Sequence, residues 1–246
     1  MKILEGNNGY KVLFGKDICD SVLSEKTLTY FKQLMAIDAE AYGGDEKGED
    51  CVYVGAIDNY INRFGYESSN LNAKLGKFGE IDNIIAISKD DIIIGYINYL
   101  TMGDELFNEI INPDINAYLE DPGRRDDGIT GKQLAHWKDS NNLFILSIAV
   151  KKEYRDSGII KILTNEFLNE LREKDKAGYK INSITADTVS DHGEKIMKMF
   201  RSEIVMNENG PVILPAPDSD ESGHEVIVRI CEGKNIKNLL KLGFII

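Results

Sequence analysis

"SIAVKKEYRDSGIIKILTNEFLNEL", residues 147–171, changes period half-way along. It follows "LFIL" and completes the apolar run Leu143–Val150, which reads as a central strand buried on both faces. From Gly158 onward the apolar residues Ile159, Ile162, Leu163, Phe167, Leu168 and Leu171 recur at helical spacing. Between strand and helix lies the charged turn "KKEYRDSG", with Gly158 at the helix start. A helix start leaves backbone N–H groups without partners and carries partial positive charge. A glycine there lets an anion approach the backbone, so a phosphate suits the place; Arg155 and Lys161 add positive charge. The plainer reading is a turn in which Gly158 serves only a positive φ.

Outward from this junction, "YKVLFG" (10–15) reads as a strand. Leu28, Phe31, Leu34 and Met35 mark a helix over about 26–39, and Tyr53, Ile57, Tyr60, Ile61 and Phe64 mark a second over 51–64. "NIIAIS" (83–88) and "IIIGYINYL" (92–100) flank "KDD" as a hairpin. Residues 103–141 read as an irregular insertion with one short helix at about 114–119. After the junction come a strand (181–190), a helix (191–200) in which Asp191 and Glu194 are spaced like a capping box, strands at 203–206 and 224–230, and a helix at about 234–242. A parallel strand–helix–strand crossover inside an antiparallel pattern predicts an α/β (α+β) domain. Its core is a mixed, mostly antiparallel sheet of six to seven strands with helices on both faces. The whole of 1–246 is expected to be one domain.

Composition narrows the functions. The chain has 246 residues, 42% apolar and 28% charged, with a net charge of −12. Such acidity argues against nucleic acid as the main partner and suits a cationic one. Cys19, Cys51 and Cys231 are too far apart for a zinc motif or a disulfide framework, so no metal is expected. The N-terminal "MKILEGNNGYK" lacks a signal-peptide core and no apolar run is long enough for a membrane span, which predicts a cytoplasmic protein. A homodimer is left open.

"LSIAVKKEYRDSGII" resembles the coenzyme-A motif of the GNAT acetyltransferase superfamily: an apolar strand ending in Val, then R/Q-x-x-G-x-G/A. Arg155 and Gly158 match; Ile160 stands where the family has Gly or Ala. The order of elements over about 25–230 also resembles the family's. The resemblance implies an N-acetyltransferase using acetyl-CoA. Ile148, Ala149 and Val150 would then pair with the pantetheine arm, and the amides of Arg155, Asp156, Ser157, Gly158, Ile159, Ile160 and Lys161 would cradle the pyrophosphate. The family's N-x-x-A-x-x-x-Y then G-F falls on Ser190, Gly193, Met197, Arg201 and Ser202. Ser190 can replace the asparagine near the cofactor. Met197 cannot replace the tyrosine that protonates the leaving thiolate. Asp187, late on its strand, and Glu40, between the N-terminal helices, are candidate bases; the plainer reading is a solvated strand-end carboxylate for Asp187 and a surface residue at a helix C-terminus for Glu40. His192 is a candidate acid, and His136 beside Trp137 reads as packing or function alike. Two other functions compete: an acyl-CoA-binding protein without turnover, and an interaction domain working through 103–141.

Overall fold

The computed structural model describes residues 2–3, 9–42, 57–76, 83–115, 137, 140–215 and 225–244. The chain divides into two compact units, one of residues 1–99 with 147–167 and one of residues 100–146 with 168–246.

In the first unit, β1 (Lys2–Ile3), β2 (Lys11–Phe14), β3 (Ile84–Lys89) and β4 (Ile92–Met102, to Tyr99 in this unit) pair antiparallel in sequence order. The β3–β4 hairpin turns on Asp90 and Asp91, whose φ values of 51° and 63° are those of a two-residue turn that follows strand twist. α1 (Gly15–Ile18) leads to α2 (Glu25–Tyr42), which Ser24 caps by accepting the Thr27 N–H at 3.1 Å. α3 (Ile57–Arg63) packs on α2, and Phe64, the residue after it, stacks on Phe31 with ring centroids 4.8 Å apart. The expected stripe is real: Phe31 and Leu34 are fully buried, and Leu28 and Met35 pack at its margin. The end of β5 (Ser140–Val150) and the start of α5 (Ile159–Lys176) complete the unit.

A bulge in β4 sorts its side chains. Ile87 faces Gly95 and Ser88 faces Ile93, so Ile94 is one residue extra. Ile93 and Tyr96 therefore both point to the α2–α3 core. Gly95 and Tyr99 meet the opposite layer. A Cβ on Gly95 would lie 3.0 Å from Ile159 and 3.1 Å from Val150, and Tyr99 makes an edge contact with Phe167. Helices thus cover both faces here, and β4 is buried along nearly its whole length.

In the second unit, β5 runs parallel to β6 (Lys180–Thr188), from Ser140 opposite Lys180 to Ile145 opposite Ala186. β6 pairs antiparallel with β11 (Val226–Glu232), which also holds β7 (Glu203–Ile204) and β10 (Ile213–Leu214). β8 (Met206–Asn207) and β9 (Gly210–Pro211) form a separate small hairpin. α4 (Asp104–Ile111) buries Leu106 and Ile110 against Phe144, Val226, Val228 and Ile230. α6 (Asp191–Met199) and α7 (Gly233–Leu242) pack on β6.

The pattern is mixed and mostly antiparallel, as the sequence predicts. Among the described residues six strands have four or more residues, and β1, β7, β8, β9 and β10 are two-residue additions. Two details differ. The segment from 103, expected to be irregular, opens with an ordered helix, α4, which holds on only two buried apolar residues, Leu106 and Ile110; the helix expected at 114–119 lies almost wholly outside the described residues. α6 is capped by Ser190, not Asp191. Ser190 is extended (φ −158°) and accepts the Gly193 N–H at 3.2 Å, which puts Asp191 already inside the helix. Glu194 instead binds Lys198 at 2.9 Å and Arg229 at 3.1 Å, and the Lys198 contact holds its carboxyl below the usual range.

Candidate functional site

The strand-to-helix junction is built as follows. β5 ends at Val150, a short 3-10 helix covers Lys152–Ser157, and Gly158 turns the chain into α5 at φ 82°, ψ 7°. That left-handed conformation is why a glycine stands there. A Cβ added to it would meet nothing within 4 Å, so the space before the α5 start is open. Arg155 is held: its Nε donates to the Val150 carbonyl at 3.1 Å and its Nη2 to the Glu40 carbonyl at 3.3 Å. The Glu40 carboxylate accepts the Lys152 N–H at 2.8 Å. Asp156, Ser157 and Lys161 are exposed, Ile159 is fully buried and Ile160 half-buried. Lys89, at the end of β3, lies 5.7 Å from the Tyr154 ring centroid and adds a further cation beside the turn.

Behind the junction lies a buried polar cluster. Asp38 is 2% exposed, one α2 position further along the stripe that begins at Phe31 and Leu34. The Tyr60 hydroxyl of α3 donates to its Oδ2 and the Tyr96 hydroxyl of β4 to its Oδ1. Ser147 Oγ of β5 lies 3.0 Å from the Tyr96 oxygen and 3.4 Å from Asp38 Oδ1. Burial pushes the Asp38 carboxyl up, while Tyr60, Tyr96, nearby Arg63 and Ser147 pull the other way. The cluster was missed from sequence. Its one signal was a carboxylate in phase with an apolar stripe, where an unpaired charge would be costly.

The structure gathers Ile148, Ala149, Val150, Arg155–Lys161 and Glu40 in the first unit. Glu40 belongs to the last turn of α2, not to the loop after it, because the helix continues to Tyr42. Asp187, Ser190 and His192 belong to the second unit. Asp187 is half-buried on β6 opposite Val228 of β11; Ser190 and His192 are exposed at the head of α6. Met197 is 2% exposed, a core residue of α6. His136 lies outside the described residues; Trp137 packs edge-on to Tyr179 under Lys174. No group of metal-ligating side chains occurs among the described residues. No described helix is long and apolar enough to cross a membrane.

No family model matches the sequence. No curated protein matches it either. Solved structures do. The loading GNATL domain of CurA from Lyngbya majuscula matches with a TM-score of 0.55 at 9% identity, over 92% of this chain and 98% of that one. The chain has the GNAT fold. Ard1 from Thermoplasma volcanium matches at TM-score 0.49 and 9% identity, over 90% of this chain and 95% of that one. The GphF GNAT-like decarboxylase in complex with isobutyryl-CoA matches at TM-score 0.49 and 10% identity, over 82% and 94%. In this GNAT-fold chain the strand before the junction is β5, the helix after it is α5, and the parallel ladder of β5 with β6 ends at Ile145, five residues before β5 does.

Proposed function

We propose that the chain is an acetyl-CoA-dependent N-acetyltransferase acting on a primary amine of a small molecule or peptide. One observation carries this reading: a left-handed Gly158 with open space before it, at the head of a helix that directly follows the motif strand. Those residues fit coenzyme A. The head of α5 offers its positive end to the pyrophosphate, with Arg155, Lys161 and Lys89 supplying charge, although the Lys161 N–H itself donates to the Gly158 carbonyl at 3.0 Å. The backbone of Ile148–Val150 offers a strand edge to the pantetheine arm. Glu40 accepts a backbone N–H of the turn and so supports its shape.

In the reaction the amine nitrogen bonds the acetyl carbonyl carbon as the carbon–sulfur bond breaks. The amine must first lose a proton, and the thiolate must gain one. Of the candidates Asp187, Glu40 and His192, only Glu40 belongs to the same unit as the turn, and its carboxylate is engaged by the Lys152 N–H. The acceptor is a cation, favoured by the net charge of −12. A second reading, acyl-CoA binding without turnover, is favoured by Met197 at the tyrosine position, buried and without a proton to give. Release of CoA thiol across a panel of amines and lysine-bearing peptides separates the two. Thiol release with an amine supports transfer; acetyl-CoA binding without release supports the second reading.

A further inference from the structure

A carboxylate buried in an apolar core is costly, and apolar side chains in place of the carboxylate and its partners together would cost less. Asp38 nonetheless collects hydroxyl groups from α3, β4 and β5. The arrangement is directional. Asp38, Tyr60 and Tyr96 are at most 2% exposed, whereas Ser147 is 7% exposed and stands directly before Ile148 on the motif strand. Ser147 is thus the outer end of a chain of oxygens, Ser147 Oγ to Tyr96 at 3.0 Å and Tyr96 to Asp38 Oδ1.

We propose that Ser147, Tyr96 and Asp38 form a buried relay that takes the proton from the acceptor amine, with Tyr60 holding the far carboxylate oxygen. This rests on the transferase reading. An ammonium proton passes to Ser147 Oγ as the serine proton moves to the Tyr96 oxygen and the tyrosine proton moves to Asp38 Oδ1. The amine is then neutral and Asp38 protonated. After the carbon–sulfur bond breaks, the same proton returns along the chain to the thiolate, giving free CoA thiol and an ionised Asp38, while the newly acylated nitrogen loses its second proton to solvent water, so that one proton is released for each ammonium acetylated. One group thereby acts as base and then as acid, which supplies what Met197 cannot. Burial raises the Asp38 carboxyl, which makes it a stronger base than an exposed carboxylate; Arg63 is the charged group that opposes this, and Tyr60, Tyr96 and Ser147 are the hydroxyls facing it.

Ser147→Ala tests the relay, because it leaves the Asp38 contacts with Tyr60 and Tyr96 intact. Acetyl-CoA affinity and melting temperature should stay near wild type while kcat for thiol release falls about 100-fold, the scale of one lost proton transfer. Ser147→Thr, which keeps the hydroxyl, should recover most of it. Tyr96→Phe should match Ser147→Ala in kcat. In the wild type kcat/KM should rise with pH through a group titrating above the ordinary carboxylate range, and Asp38→Asn should abolish that limb. An active wild type with Ser147→Ala and Tyr96→Phe at full kcat overturns the relay alone. A wild type that releases no thiol with any amine overturns the transferase reading, and the relay with it.

Discussion

Glu40 accepts the backbone N–H of Lys152 at 2.8 Å, tying the end of α2 to the turn before Gly158. Its own carbonyl accepts from Arg155, so one residue braces the turn twice. As a brace, Glu40 needs an acceptor oxygen, not a titrating one. Glu40→Gln should therefore keep acetyl-CoA affinity and kcat within about twofold. Glu40→Ala should weaken acetyl-CoA binding roughly fivefold, the equivalent of about 1 kcal/mol for one hydrogen bond at an exposed site. Calorimetric titration of the two variants checks this; a Glu40→Gln variant with normal affinity and a collapsed kcat would make Glu40 the base instead.

Gly158→Val puts a β-branched side chain at φ 82°, which costs about 1–2 kcal/mol of stability. Its Cβ would clash with nothing in the protein and would project into the open space before α5. The variant should fold, melt a few degrees lower, and lose acetyl-CoA binding by more than tenfold. Normal binding by the folded variant would place the pyrophosphate elsewhere.

What the sequence made legible was what repeats locally. The stripe Phe31–Leu34 and the period change at Gly158 follow from helical spacing and appear where expected. The β4 bulge did not show, because in "IIIGYINYL" every position but Asn98 is apolar, aromatic or glycine and a one-residue slip leaves the pattern almost unchanged. The Asp38 cluster did not show either. Its members come from four elements, α2, α3, β4 and β5, and Ser147 lies 109 residues from Asp38. Such a site is made by topology, not by spacing. The acidic stretches "GGDEKGED" (43–50) and "RRDDG" (124–128) lie outside the described residues.

Asp38 should also mark the pH dependence of stability. Its folded-state carboxyl titrates above its unfolded value, so folding favours the protonated form. The stability this contributes is fully present below the unfolded pKa and is lost as pH rises through the folded pKa. Asp38→Asn does not titrate. The melting temperature of Asp38→Asn relative to wild type should therefore rise with pH from the normal carboxylate range upward. A difference that stays flat from pH 3 to 8 would mean that Asp38 titrates normally.

The acceptor's charge sets a salt dependence. With a net charge of −12, a cationic amine is drawn in by a field that salt screens beyond about 8 Å at physiological ionic strength. Acceptor KM should rise several-fold between 50 and 500 mM salt, with acetylation faster at higher pH as the amine loses its proton. A panel in which neutral or anionic amines win, with KM indifferent to salt, would remove the cationic acceptor.

Thermal unfolding with and without acetyl-CoA tests the central claim most directly. Acetyl-CoA at ~100 times its dissociation constant adds about 2.7 kcal/mol to the folded state. For a chain of this size that is a rise in melting temperature of roughly 5–10 °C. The account predicts that rise for the wild type and its loss in Gly158→Val. An unchanged melting temperature at millimolar acetyl-CoA would contradict it.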